Sequence, residues 1–213
     1  MKNLVSLFLL LTLIACASGG VRFQKSDKYD PKIARVVTMA VFDMNSNTSA
    51  NSEEEHVRIF GSIAQTQVGS LHGSMIPGGD LTLKAAEAIG LKKDLDTAVG
   101  KMTEAIVNSN SLDPQTTVVF AKIAAKLGVE GLAFPLVSGD KSSFRSGGVS
   151  FRFVLYDVRK SAIVYVAQTE AIEINSFVYD KADDTQKNAM VSSATSKAVN
   201  DLFGAVKKGL DEK

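Results

Sequence analysis

The spacing of apolar and polar positions changes repeatedly along this chain, and each change marks an element. Residues 4–14 form an apolar run behind Lys2 and ahead of the small Ala15. At ~11 positions the run is too short for the ~20 of a spanning helix. A charged start, short apolar middle and small-residue junction form the pattern of a secretory signal peptide. Residues 17–32 are small, then polar and charged, with little to bury, and read as a flexible tether. Residues 33–42 carry Val36, Val37, Met39, Val41 and Phe42 in one β-prone run and predict the first strand.

Turn and cap formers fill residues 43–52, and Ser52 with Glu55 has capping-box spacing. Helical spacing follows in Val57, Phe60, Ala64, Val68 and Leu71, widened by Ile59 and Ile63. Residues 74–77 predict a short strand stopped by Pro77, Gly78 and Gly79; Asp80 then caps a helix that Gly90 ends. Leu95, Ala98, Val99, Met102 and Ile106 mark another helix. Asp113 before Pro114 starts a third, with Val119, Ile123 and Leu127 inward and Gly128 as its stop.

The remainder alternates differently. Residues 131–137 predict a strand whose Pro135 argues for an edge position or a bulge. Residues 138–148 read as a flexible loop. Residues 149–158 and 162–174 predict a hairpin turning at Arg159, Lys160 and Ser161. Its faces carry Ser150, Arg152, Val154 and Tyr156 on one side and Val149, Phe151, Phe153 and Leu155 on the other, which predicts a half-buried sheet. Residues 183–208 form a long helix with Val191, Ala194, Ala198, Leu202 and Val206 on one face. The expected fold is α/β, with an α+β-like second half: a mixed sheet of about five strands containing a β-meander, helices packed on it, and a long C-terminal helix. The division is a signal peptide at 1–15, a lipidated N-terminus and tether at 16–32, and one domain at 33–212.

Charge narrows the partners. The 24 Lys and Arg nearly cancel the 23 Asp and Glu, and no stretch is strongly basic, so no nucleic-acid footprint is present. Cys16 is the only cysteine, and it sits where the apolar run ends. Leu13, Ile14, Ala15 and Cys16 resemble the lipobox of bacterial lipoproteins, in which the cysteine is acylated and becomes the mature N-terminus. That resemblance implies palmitate or similar chains on Cys16 and a permanent hold on membrane lipid, since one chain alone holds only marginally. Ala17, where aspartate would favour inner-membrane retention, implies the outer membrane, with the domain in the periplasm. An acylated Cys16 leaves no thiol for a disulfide or a cysteine nucleophile.

Residues 34–44 followed by an amphipathic helix, residues 124–133, Val154 to Val158 and residues 163–166 carry a wider likeness. Together they resemble the bacterial envelope lipoproteins of the TolB N-terminal domain / LpoB / CsgG-like family, over most of residues 33–210. The resemblance implies a fold of this kind and an envelope protein as partner. The pore-forming CsgG-like branch is the less favoured reading, because no second long hairpin is evident and the first suits burial against helices.

Candidate chemistry is sparse. His56 with Glu53 shares a helix face and His72 lies near the helix end, but solvated helix-start charge accounts for His56 better than a metal site does. No nucleophile elbow, phosphate loop or dinucleotide fingerprint occurs, so no cofactor and no metal is implied. Asp43, Asn45 and Asn47 follow the first strand and Asp80 the second, where open α/β sheets gather ligands. The 138–148 loop adds Phe144 and Arg145, residue types enriched at interface hot spots. The expected function is a non-enzymatic, lipid-anchored interaction or envelope-assembly module. The alternative is a small-ligand binder or hydrolase using the strand-end loops; oligomeric state is left open.

Overall fold

The computed structural model describes residues 20–72, 78–109 and 111–211. The expected signal peptide, Cys16 and the strand expected at 74–77 lie outside the described residues. Strands β1 (Val21–Lys25), β2 (Val36–Thr38), β3 (Phe42–Asp43), β4 (Gly131–Ser138), β5 (Ser150–Asp157) and β6 (Ala162–Thr169) form one six-stranded sheet. Its order is β1-β6-β5-β4-β2, with β3 continuing β2 along β4. β2 and β3 run parallel to β4, and every other pairing is antiparallel. The helices are α1 (Glu55–His72), α2 (Asp80–Ala88), α3 (Lys92–Val107), α4 (Pro114–Leu127), α5 (Ser176–Lys181) and α6 (Asp184–Asp211).

Helices cover both faces of the sheet. Phe60, Ala64 and Val68 of α1 and Val191, Val199, Leu202 and Val206 of α6 pack on Ala133, Phe151, Phe153 and Leu155. Ala86 of α2, Leu95, Val99 and Met102 of α3, and Phe120 and Ile123 of α4 pack on Leu132, Phe134, Val154 and Tyr156. The β5–β6 hairpin is therefore not half-buried: every β5 residue from Phe151 to Asp157 is buried. Even Arg152 is only 8% exposed, its Nε and Nη2 donating to Gln168 Oε1 at 2.9 and 2.7 Å.

α4 begins as its sequence requires. Asp113 accepts from the backbone N–H of Gln115 and Thr116, Pro114 occupies the first turn, and Gly128 closes the helix at φ 68. α1 begins differently. It starts at Glu55, whose carboxylate accepts from Arg58 at 2.8 Å and Ser192 at 3.0 Å, while Asn51 Oδ1 holds the Glu53 N–H in the preceding turn. The expected Ser52 cap thus gives way to an asparagine turn that begins four residues ahead of the helix.

The tether assignment needs correction at residues 21–25. That segment is β1, paired antiparallel with β6 from Val21↔Thr169 to Lys25↔Tyr165. Phe23 stacks on Tyr165 with ring centroids 6.1 Å apart, and Lys25 Nζ donates to the Gly209 carbonyl at 3.0 Å. Edge pairing offered by β6 overrides weak local β-propensity, a long-range choice that residues 17–32 do not encode themselves.

The first strand is broken for a reason that lies on its neighbour. Thr38 pairs with Ala133 and Phe42 with Leu136, so the β2–β3 side carries one residue more than β4. Ala133 and Val137 turn their carbonyls to this side, accepting from Met39 and Met44 at 2.8 Å each. By strand alternation the Pro135 ring nitrogen faces the same way, and it has no proton to donate. The expected bulge is present; the expected edge position is not, since β4 lies inside the sheet. The freed backbone groups find other partners. Ala40 N–H donates to Thr82 Oγ1 at 3.1 Å, Gly79 N–H to the Thr38 carbonyl at 2.9 Å, and Ala50 N–H to the Val41 carbonyl at 2.8 Å.

Candidate functional site

The same interruption creates a hollow. Met39, Ala40 and Val41 form its floor, Arg58, Gly61, Ser62 and Gln65 of α1 one wall, and Gly79, Asp80 and Leu83 at the start of α2 the other. Ser49, Ala50 and Ser52 complete the rim, and the space, about 490 Å³, is open to solvent on one side. Two glycines keep it open. A Cβ on Gly61 would lie 3.2 Å from Val41 Cγ2, and one on Gly79, at φ 62, would lie 2.6 Å from Gln65 Nε2. Gly78 runs so close to the bulge that a Cβ there would collide with the Thr38 carbonyl.

Opposite charges line this rim. Asp80 sits in the first turn of α2, where backbone N–H groups favour an acid. Arg58 keeps 64% of its side chain exposed and pairs with Glu55 at 2.8 Å. That bond, then the Ser192 hydroxyl, holds the Glu55 carboxyl below its ordinary range. Chemically the hollow offers an apolar floor, hydroxyl and amide groups, one cation and one anion.

Of the strand-end residues singled out in the sequence, only Asp80 lines this space. Asp43 instead accepts from Asn45 N–H at 2.8 Å and Ser46 Oγ at 3.1 Å, folding its own turn. Asn45 Oδ1 accepts from Ser138 Oγ at 3.4 Å. Asn47 takes the left-handed φ of 55 and lies against Gly100, where a Cβ would come within 2.9 Å of its side chain. These three close a turn at the end of β3. Arg58, Gly61, Ser62 and Gln65 went unsignalled, except that Gly61 interrupts a good helical segment without ending it.

The 138–148 segment is ordered by a 3-10 helix, Lys141–Ser146. Asp140 accepts from Ser143 N–H at 3.0 Å while Ser143 Oγ accepts from Asp140 N–H at 3.3 Å, a reciprocal cap. Phe144 is fully buried and meets the His56 ring edge-on at 5.5 Å. As a contact residue it is corrected: it is core. Arg145 stays at the surface, paired with Asp180 at 2.8 Å beside a broad groove that also includes Glu54, Lys141 and Lys187.

His56 is correspondingly not a solvated helix-start charge. It is 1% exposed, lies 3.3 Å from the Gly139 carbonyl through Nε2, and turns Nδ1 to Glu54, not Glu53, at 3.6 Å. Burial pushes its pKa below the ordinary 6.5, against the opposing pull of Glu54 and Gly139. His72 is buried and shifted the same way, for the same reason. Among the described residues, no three of His, Cys, Asp or Glu gather as metal ligands.

The sequence matches no family profile, and no curated protein is significantly similar to it. Among solved structures it is similar to a variant PelC dodecamer from Paraburkholderia phytofirmans, at TM-score 0.39 and 14% identity, over 87% of this chain and 98% of that one. The LpoB C-terminal domain from Salmonella enterica is similar at TM-score 0.38 and 12% identity, over 70% and 88%. That from Escherichia coli gives 0.33 and 12%, over 68% and 85%. At these values the likeness carries no functional inference.

Proposed function

We propose that this chain is a bacterial envelope lipoprotein, held on the outer membrane by acylated Cys16, whose periplasmic domain works without catalysis by binding another envelope protein. The membrane half of the reading comes from residues 2–16. The binding half is carried by the hollow beside the bulged strand. An apolar floor under a rim bearing Arg58 and Asp80 has the arrangement of an interface centre, where an anchor side chain is buried and charge is left at the edge. Its open side suits an inserted loop of a protein better than a small molecule, which a pocket must enclose over most of its surface.

The test is photo-crosslinking from Ser62 in intact cells, with Arg58→Ala and Asp80→Ala as partner-breaking variants. Capture of a single envelope protein, falling about ten-fold in the double variant at unchanged melting temperature, is the expected result. Undiminished capture removes the hollow from the interface. The volume itself falls in the small-ligand range, which keeps the alternative specific. Saturable binding of a periplasmic metabolite by the domain, lost in Asp80→Ala, would replace the protein partner with that ligand.

A further inference from the structure

We infer that helix α5 rests on the lipid surface beside the anchor, with Phe177 and Val178 in contact with the bilayer. The inference builds on the lipid-anchor reading of Cys16 and adds an orientation to it. Only three residues lie between Cys16 and Gly20, and the four steps reach at most ~14 Å. Gly20 is already fixed to the domain, its carbonyl accepting from Glu170 N–H at 2.5 Å, one step before Val21 pairs with Thr169. An acylated Cys16 therefore brings one particular end of the sheet to the membrane: the start of β1 and the end of β6.

α5 belongs to that end. From Glu170 the chain bridges Val149 through Ile172, donates from Ile174 N–H to the Phe144 carbonyl at 2.8 Å, and enters α5 behind its Asn175 cap. Those six residues span at most ~21 Å. The hairpin turn at residues 159–161 sits at the opposite end, the length of an eight-residue strand away, ~26 Å.

Within α5 only Tyr179 is buried, its hydroxyl donating to the Lys141 carbonyl at 3.4 Å. Phe177 and Val178 are left 67% and 49% exposed as neighbours in sequence. Lys181 Nζ lies 3.6 Å above the Phe177 ring. A fixed aromatic ring beside a lysine whose stem can run along it suits the headgroup boundary, where the ring meets acyl carbon and the ammonium stays wet. A docked α5 adds a second hold on lipid and stops the domain from rotating about a short tether.

The chain contains no tryptophan, so Phe177→Trp introduces a single indole that can be excited selectively at the red edge, apart from the tyrosines. The acylated full-length variant is reconstituted into phosphatidylethanolamine–phosphatidylglycerol vesicles with ordinary or brominated acyl chains. Lys160→Trp, in the far hairpin turn, is the reference. The expected result is a blue-shifted emission for Phe177→Trp, quenched about two-fold or more by brominated lipid, with Lys160→Trp unaffected. Equal, unquenched emission from both, with acylation of Cys16 shown by mass spectrometry and all protein floating with vesicles, overturns the orientation and leaves the anchor intact. A blue shift without bromine quenching overturns it too, since a protein surface then covers α5. A chain that is neither acylated nor vesicle-bound removes the anchor and this inference together. Unchanged melting temperature in both variants certifies the fold.

Discussion

Phe144 and Arg145 are neighbours in one short helix, yet truncating them should have opposite weights. Phe144 is fully covered, meets the His56 ring at 5.5 Å, and belongs to the cluster that includes Phe60 and Phe151. Deleting such a ring removes the transfer free energy of the buried carbons and leaves a cavity, together about 3–5 kcal/mol. At about 2–4 °C per kcal/mol for a domain of this size, Phe144→Ala should lower the melting temperature by about 6–20 °C. Arg145 loses an ion pair with Asp180 whose side chains are 59% and 46% exposed, worth about 0–1 kcal/mol before screening by salt. Arg145→Ala should move the midpoint by no more than about 3 °C. Circular-dichroism melts of the two purified variants decide the matter. Equal shifts would falsify the placement of Phe144 in the core.

Two glycines of α6 make a second paired test. Nothing lies within 4 Å of a Cβ built on Gly204, so Gly204→Ala should stabilise by about 1 kcal/mol through helix propensity alone. A Cβ on Gly209 would lie 2.6 Å from the Tyr165 hydroxyl, so Gly209→Ala should be net destabilising in the same melts despite that gain. The histidines set a pH dependence. His56 and His72 are both held below their ordinary 6.5 by burial, so below that pH the unfolded chain takes up protons that the folded chain resists. Their contribution is fully present above about pH 6.5 and is lost as pH falls toward the depressed values. Melting temperature should drop between pH 6.5 and 5, and His56→Gln with His72→Gln should flatten that slope; an unchanged slope assigns it to carboxylates.

What the sequence disclosed was local, and what it withheld was long-range. The Asp113–Pro114 start and Gly128 stop of α4 are encoded by contiguous residues and are found in place. The β5–β6 hairpin and α6 follow from patterns long enough to outweigh noise. The break between β2 and β3 was invisible in its own β-prone run, because its cause, Pro135, lies on another strand. β1 was missed for a similar reason: Val21 to Lys25 becomes a strand only beside β6. Of the hollow, Asp80 was singled out as a helix cap, but Gly79 holds the cap position and Asp80 the first turn, whereas Arg58, Ser62 and Gln65 sit on the polar face of an ordinary amphipathic helix. Phe144 misled in the other direction. A lone aromatic in a polar stretch looked displayed, but the Asp140–Ser143 cap that turns it inward was written three residues apart in the same stretch.

β1 also decides how the molecule bears load. Tension between the N-terminal end and a partner elsewhere on the domain enters at Val21 and runs along the strand axis. The five pairs from Val21↔Thr169 to Lys25↔Tyr165 are then strained together in shear rather than peeled one after another. With ladder bonds each worth about 1 kcal/mol net, shear must overcome the set at once, while peeling would break them singly. Should the strand let go in a chain held at an acylated Cys16, the free segment would run to Ile33, which is buried in the core, and lengthen from ~14 Å to ~60 Å. With such an anchor, β1 would act as a force-rated latch on tether length.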